Sequence, residues 1–370
     1  MRPATLSCSP PLRFQTTCAR KRRAQAVACL GLWLGICVLE PILLPLRAAN
    51  PAAKNLFEFR GQVTMPPRTI SHRVRRIFVA LFGVTTPFSG RTWADPNGRF
   101  RLRNLPPATY SLSIYIPGVG EVRQTVEITQ SFADPKGRVE KKFVFDEQAL
   151  RVQARPVQSG VVSVRELSIP EKARREFGKA QSRLRSRDVE GAIRRLKRAV
   201  ELAPQFVEAV NNLGIIYYQK QDYSTAEGHF RNALEADPEA FEPLVNLGGV
   251  LLAIGGASEA MEINQRAQAA RPLDALANAQ LGLSYFRLGD FEHAVQYLQQ
   301  TKHLDPGHFT NPQIALARIY LRRSREKEAL QELQDFLEQH PDSPEADNVR
   351  ATIERIQQSQ ASPADERLPL

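Results

Sequence analysis

Cysteine is scarce in this sequence, and the four cysteines all lie among the first 37 residues. No cysteine follows Cys37, so the rest of the chain can form neither a disulfide bond nor a cysteine-ligated zinc site. A cysteine nucleophile is excluded from that part as well. Any domain folded beyond residue 37 must therefore be held together by apolar burial, hydrogen bonds and ion pairs.

The chain also lacks the motifs of catalysis. Its six histidines include no H-E-x-x-H pair for zinc, and the sequence contains no G-x-S-x-G, no phosphate-binding P-loop and no G-x-G-x-x-G. The glycine-rich stretch 248–256 lies inside a helix-like pattern. We therefore predict that the protein is not an enzyme, that it has no metal or cofactor site, and that its histidines are solvent-exposed.

A long hydrophobic run is missing too. The longest, Ala26–Leu39, has 14 residues, and a helix that spans a bilayer needs about 20. It follows the basic stretch Ala19–Arg23, and small residues around Ala48 offer a cleavage site. We therefore predict a signal peptide over 1–48 and a protein exported to the periplasm, the cell envelope or the medium. A single N-terminal membrane anchor is the alternative.

A repeat of 34 or 35 residues dominates the second half of the chain. Small residues stand twelve places before the repeated prolines, and a Leu-Gly pair opens three of the copies. Apolar spacing of three and four residues predicts helices, small residues let two helices approach closely, and proline ends the second helix. The repeated prolines are Pro204, Pro238, Pro272, Pro306 and Pro341.

This pattern resembles the tetratricopeptide repeat (TPR) family over residues 171–341, which implies a solenoid of stacked helix pairs. Asn264 departs from the family, which usually has an aromatic residue or leucine there, and an extra residue in the last copy puts Pro312 near a helix start. We expect a capping helix over 344–358 and a disordered tail over 359–370. The five predicted copies are 173–206, 207–240, 241–274, 275–309 and 310–343.

Residues 55–167 have a different pattern. Short runs of alternating apolar and polar residues are separated by Pro, Gly and Asp clusters, as is typical of a β-sandwich. The stretch Trp93–Gly118 resembles the carboxypeptidase regulatory-like family, a transthyretin-like β-sandwich, although Ala108 replaces a usual glycine. The resemblance implies no peptidase activity, because that chemistry belongs to a separate catalytic domain. The matching residues are Asp95, Gly98, Phe100, Leu105, Pro106 and Tyr110.

Two ligand classes are considered for this domain. Asp95 and Asn97 have the oxygen donors that calcium takes, but such residues also cap turns by bonding nearby amides, and we predict a turn. Trp93, Tyr110 and Tyr115 have flat rings that could stack on a sugar, although most aromatic residues in alternating strands belong to the core.

In TPR solenoids the first helix of each pair lines a concave groove, and the resemblance indicates which residues face it. Their apolar and amide side chains suit an extended peptide or an amphipathic helix. Asn212, Asn246 and Gln280 could bond a peptide backbone as an asparagine ladder, or could brace neighbouring helices. A carboxylate clamp is excluded, because Glu242 would repel its ligand. The candidate groove residues are Phe177, Gln181, Leu184, Asn211, Asn212, Ile215, Tyr218, Val245, Asn246, Leu252, Gln280, Leu283, Phe286 and Arg318.

Charge is unevenly distributed along a chain whose net charge is +11. Residues 54–165 have 18 basic and 8 acidic side chains, 166–200 have 11 and 5, and 201–370 have 14 and 25. The basic half suits a polysaccharide or an anionic membrane surface. The predicted export, and the lack of aromatic residues among the basic ones, argue against nucleic acid.

The sequence thus predicts a multidomain protein, with an all-β sandwich followed by an all-α TPR solenoid. The predicted function is that of a non-enzymatic exported scaffold or adaptor, which binds a protein or peptide in the concave groove. The alternative is carbohydrate or glycopeptide binding through the sandwich, with the solenoid as an adaptor.

Overall fold

The structure, a computed structural model, describes residues 56–65, 77–84, 88–116, 120–145 and 168–361. The predicted signal peptide or anchor over 1–48, most of the junction between the two domains, and residues 362–370 lie outside the described residues. Among the described residues, no helix is long and apolar enough to cross a membrane.

Seven strands described within residues 57–144 form two β-sheets. They are β1 (Phe57–Thr64), β2 (Phe78–Gly83), β3 (Ser89–Trp93), β4 (Arg99–Leu105), β5 (Ala108–Ile116), β6 (Gly120–Ile128) and β7 (Arg138–Val144). One sheet has the order β4-β1-β7, with β1 parallel to β7. The other is antiparallel and has the order β3-β2-β5-β6, so that β6 is one of its edges. Side chains from both sheets share one core, and we call this domain the sandwich.

Alternating burial builds the core of the sandwich. Along β1, every second residue from Phe57 to Val63 is buried. Phe59 lies among other aromatic rings, with its ring centroid 5.9 Å from that of Phe100 and 6.5 Å from that of Phe143. The domain is therefore stabilised by apolar and aromatic packing, as a segment without cysteine requires.

The turn between β3 and β4 confirms the prediction made from Asp95 and Asn97. The Oδ1 atom of Asp95 accepts the backbone N–H groups of Asn97 and Arg99, at 2.9 and 2.8 Å. Gly98 has a φ of +74°, a left-handed conformation that glycine adopts without steric cost. The carboxylate of Asp95 thus organises the backbone of the turn.

Eleven helices described within residues 168–361 follow the sandwich as five helix pairs and a final helix. They are α1 (Glu171–Arg185), α2 (Val189–Leu202), α3 (Val207–Gln219), α4 (Tyr223–Ala236), α5 (Phe241–Ala253), α6 (Ala257–Ala270), α7 (Ala275–Leu288), α8 (Phe291–Leu304), α9 (Pro312–Arg322), α10 (Glu326–Gln339) and α11 (Ala346–Ala361). Pro312 opens α9, as predicted. The order of an all-β domain and then an all-α solenoid confirms the predicted fold class.

Glycine on the first helix lets the two helices of a pair approach closely. In the second pair, a Cβ added to Gly214 would lie 2.5 Å from the Phe230 ring of the second helix. Gly248 and Gly282 hold the equivalent positions in the next two pairs. Gly248 faces Asn264, which is fully buried although it is polar. The same close contact thus recurs in three successive helix pairs, at the period of the sequence repeat.

Two helical glycines of the second pair provide a matched test. We predict that Gly214→Ala lowers the free energy of unfolding by about 1–3 kcal/mol, because the new methyl group overlaps the Phe230 ring. Gly228→Ala should raise it by about 1 kcal/mol through helix propensity, since nothing lies within 4 Å of an added Cβ there. Urea denaturation of both variants measures the difference, and equal effects would contradict the packing account.

Candidate binding surface

The candidate groove residues lie on the first helices of the pairs, but they differ in accessibility. Arg318 is exposed. The half-buried members are Phe177, Gln181, Leu184, Asn212, Ile215, Tyr218, Asn246 and Leu283. The buried members are Asn211, Val245, Leu252, Gln280 and Phe286. A ligand in this groove would therefore meet the half-buried members and Arg318.

The amides predicted as a ladder have other contacts as well. Asn246 Nδ2 donates to Asn211 Oδ1 at 2.9 Å, so these side chains join α3 to α5. This is the bracing role that the sequence left as an alternative. Gln280 is buried, and its Oε1 has no hydrogen-bond partner in the described part of the chain. A ladder over Asn212, Asn246 and Gln280 stays a prediction.

Apolar groove residues cluster on α3. Ile215 and Tyr218 are half-buried, and the Tyr218 ring centroid lies 5.5 Å from that of Tyr223. Burial raises the pKa of Tyr218 to about 12, with a smaller effect from Tyr223. The Tyr218 hydroxyl is therefore neutral at physiological pH, and this part of the groove presents an uncharged aromatic surface.

The sandwich lies against the solenoid, with its edge strand β6 beside the loops that precede first helices. The backbone N–H of Thr125 in β6 donates to the buried Asp305 carboxylate at 2.7 Å. Lys141 of the other sheet donates to the Thr125 carbonyl at 3.1 Å. Just after β6, Ser131 Oγ donates to Asp342 Oδ1 at 2.6 Å, and this bond lowers the pKa of the Asp342 carboxyl.

Four charged side chains join β6 to the third helix pair. Arg123 donates to Glu121 at 2.8 Å within β6 and to Glu242 of α5 at 3.1 Å. Arg271 of the solenoid forms an ion pair with the same Glu242, also at 3.1 Å. Burial alone would raise the pKa of Glu121, but Arg123, Ser113 and Arg271 hold it below its usual value. The two acids and two arginines therefore form a neutral, half-buried network between the domains.

Two histidines are buried, and the prediction that all histidines are exposed is wrong for them. His340 is 2% exposed, and its Nδ1 lies 2.5 Å from Glu127 Oε1 of β6. His308 is 3% exposed, and burial lowers its pKa. Both residues belong to loops that the sandwich contacts or adjoins. Among the described residues, no group of three His, Cys, Asp or Glu side chains is placed to hold a metal ion.

The sandwich contacts opposite helix ends in different repeats of the solenoid. At the C-terminal end of α3, Gln219 Nε2 donates to the Gly83 carbonyl of β2 at 3.2 Å, whereas β6 reaches the N-terminal ends of later first helices. Ala80 and Ser113 are each 6% exposed although they lie outside the sandwich core cluster. The outer face of the four-stranded sheet is therefore covered at its centre.

Helical periodicity could not reveal this contact between domains. The signal that the sequence did carry is charge, because the sandwich segment is basic whereas residues 201–370 are acidic. The ion pair between Arg123 of the sandwich and Glu242 of the solenoid joins a basic residue of the first segment to an acidic residue of the second.

The aromatic residues considered for sugar binding fall into different environments. Tyr110 lies in the sandwich core, and its hydroxyl donates to the Pro106 carbonyl at 2.8 Å. Trp93 is 55% exposed and Tyr115 is half-buried. Phe78 pairs with both of them across neighbouring strands. A sugar could therefore meet a row of aromatic rings that includes Trp93 and Tyr115 but not Tyr110.

Comparison with known proteins identifies the repeats. Tetratricopeptide repeat family models match residues 177–241, and residues 217–281 and 285–353. The predicted TPR solenoid is thereby confirmed over these ranges, and TPR repeats typically serve as scaffolds for protein–protein interaction. The carboxypeptidase regulatory-like identity of the sandwich stays a resemblance.

Individual relatives match only part of this chain. Cell division cycle protein 16 homolog is 29% identical over 115 residues in Homo sapiens and over 108 residues in Mus musculus. These alignments take up 29% and 27% of this chain, and the chain spans only 18% and 17% of the two relatives.

Among solved structures, MamA from Desulfovibrio magneticus RS-1 is 25% identical, with 53% of this chain and 100% of that chain covered at a TM-score of 0.41. A thermophilic TPR protein from Thermus thermophilus is 20% identical, with 50% and 99% covered at a TM-score of 0.40. At such TM-scores neither structure indicates what this chain binds.

The contact between the domains can be tested at Asp305. We predict that Asp305→Ala leaves the buried Thr125 N–H without an acceptor and weakens the contact by about 1–3 kcal/mol. Hydrogen exchange of the β6 amides should become faster. Asp237→Ala is the control, because Asp237 also precedes a repeat proline and its carboxylate accepts the N–H of Glu239. Equal exchange in both variants would show that Asp305 does not hold β6.

Proposed function

We propose that the protein is a non-enzymatic exported scaffold or adaptor, which binds a protein or peptide on the concave surface of its solenoid. One observation carries the proposal: apolar side chains such as Ile215, Tyr218 and Leu283 stay half-buried on the first helices. A chain that needed only a stable solenoid would gain by covering these groups or by replacing them with polar ones.

The docked sandwich supports this proposal in a physical way. Its contacts at Gln219, Glu242 and Asp305 join helices of different repeats to one rigid sheet. A solenoid that is braced in this manner loses less conformational entropy when a ligand binds. The sandwich thus acts as a brace that shapes the groove and narrows it to the part left uncovered.

Export is part of the proposal and rests on the basic and apolar pattern of residues 1–48. It is compatible with domains that need no disulfide, since the sandwich and the solenoid have extended apolar cores. Export would also place the basic sandwich surface near envelope polymers and lipid headgroups.

A second candidate function is carbohydrate binding through the sandwich. The specific observation is the exposed Trp93, in a row with Phe78 and Tyr115 on one sheet face. Exposed aromatic faces at the spacing of neighbouring strands suit the apolar faces of sugar rings. In this alternative the solenoid would connect the glycan-bound sandwich to other proteins.

An affinity capture separates the two functions. The bait is the purified full-length chain, incubated with an envelope extract and analysed by mass spectrometry. We predict that a protein is retained and that the double variant Ile215→Ala, Tyr218→Ala binds it at least about tenfold more weakly, since each large apolar group contributes about 1.5–3 kcal/mol when fully buried and both are half-buried already. Phe132→Ala is the control, because Phe132 is exposed on the loop after β6.

Two results would argue against the groove. Equal recovery by the double variant and the wild type would place the binding elsewhere. Retention of glycans that disappears in Trp93→Ala, without any protein lost in the groove variant, would favour carbohydrate binding instead.

A further inference from the structure

Three arginines meet on the first helices of the last two repeats. Arg287 lies in the last turn of α7, and Arg318 and Arg322 lie one turn apart on α9. Arg287 and Arg322 hold equivalent positions, because the last repeat step is 35 residues. Residues four apart share one helix face, so Arg322 follows Arg318 along the concave side.

Salt bridges to these three arginines are absent from the described part of the solenoid. Salt bridges involve other arginines of the solenoid, such as Arg325, but within residues 168–361 none of the three takes part in one. Neighbouring protein atoms partly desolvate the Arg318 guanidinium and lower its pKa, and the nearby charges of Arg287 and Arg322 lower it further. Like charges held together cost free energy, and the cluster therefore attracts an anion.

The structure shows why these positions are free for a ligand. In the second pair the position equivalent to Arg287 is Gln219, and its amide bonds the sandwich at Gly83. In the fourth and fifth pairs the arginines form no hydrogen bond or ion pair with the described residues of the sandwich. In these repeats the sandwich contacts the opposite ends of the first helices, where Thr125 of β6 bonds Asp305.

Apolar side chains border the cluster. Leu283, one turn before Arg287, is half-buried, and Leu288 is 43% exposed. Ile254, at the equivalent position of the preceding repeat, is 49% exposed. The Arg322 guanidinium lies 5.5 Å from the centre of the Phe291 ring, which holds it over an apolar surface. The site thus combines positive charge with apolar side chains that a ligand could contact.

We propose that Arg287, Arg318 and Arg322 bind the carboxylates of an acidic amphipathic segment of a partner protein, while Leu283 and Leu288 contact its apolar side chains. The inference rests on the proposed function, since it names the class of partner for the open end of the same groove. Guanidinium groups suit this role, because their planar fork donates two parallel hydrogen bonds to a carboxylate.

The test uses a fluorescein-labelled peptide about four helical turns long, with leucine and glutamate at helical spacing. A twin peptide has glutamine in place of every glutamate. We expect the full-length protein to bind the acidic peptide about tenfold or more tightly than its twin. Raising the ionic strength should weaken binding of the acidic peptide, because exposed charges are screened.

Variants then locate the site. Arg318→Ala with Arg322→Ala should weaken binding of the acidic peptide about tenfold or more, whereas Lys327→Ala on α10 should leave it unchanged. A second readout is stability: Arg318→Leu should raise the Tm, because it removes a repelled charge and matches Leu283 of the preceding repeat. A Tm that falls would indicate that Arg318 has a structural role and would overturn the proposal.

The remaining outcomes are also decisive. The proposal of an acidic partner is overturned if the acidic peptide does not bind, or if its glutamine twin binds equally well. It is also overturned if the double arginine variant binds the acidic peptide as the wild type does. Binding to phosphatidylglycerol vesicles that requires the same arginines, without peptide binding, would assign the cluster to a membrane instead. If envelope proteins are still captured through Ile215 and Tyr218 while the arginines have no effect, the proposed function stands and only this inference fails.

Discussion

The arrangement of the two domains depends on the contact between β6 and the solenoid loops, and the hydrogen bond from the Thr125 N–H to Asp305 is part of that contact. β6 is an edge strand, and an edge strand presents backbone groups that need partners. The solenoid supplies one at Asp305, and Lys141 supplies another to the Thr125 carbonyl. Both backbone groups of Thr125 therefore have partners, and β6 packs between the rest of the sandwich and the solenoid loops.

The position of β6 determines which part of the concave surface can bind a partner. The sandwich covers helix ends at Gln219, Glu242 and Asp305. Ile215 and Tyr218 on α3 stay half-buried, and the basic ends of α7 and α9 form no hydrogen bond or ion pair with the described sandwich residues. A ligand would therefore meet a surface formed before binding, with less ordering left to do. The unneutralised arginines give that surface a preference for one sign of charge.

The helical half of the molecule could be predicted from sequence because its determinants are local and repeated. Proline ends a helix, and Gly214 leaves space for the Phe230 ring. Neither effect depends on how the rest of the chain folds. The turn at Asp95 could be predicted for the same reason, since its bonds reach only to Asn97 and Arg99. Each of these features is decided within one turn, or between two helices joined by a short loop.

The contact between the domains could not be predicted in this way. Thr125 and Asp305 are 180 residues apart, and nothing in the alternation of β6 distinguishes a strand that docks from one that faces water. The burial of His340 depends on the same long-range contact. Because the repeat pattern does not contain that contact, the sequence predicts an exposed histidine in this loop. Likewise Val245 and Phe286 have groove positions by register but are buried in the folded protein. Burial depends on neighbours that the repeat pattern does not contain.

One measurement tests the docked arrangement most directly. Ser131 and Asp342 have short side chains whose oxygen atoms lie 2.6 Å apart, and in the test protein the four native cysteines, all within the first 37 residues, are replaced by serine. If the sandwich is held on the solenoid, Ser131→Cys with Asp342→Cys forms a disulfide under mild oxidation, seen as a faster band on a non-reducing gel. The pair Ser131→Cys with Asp347→Cys, at an exposed position of α11, should form the disulfide far less. Equal and slow cross-linking of both pairs would contradict a sandwich held on the solenoid.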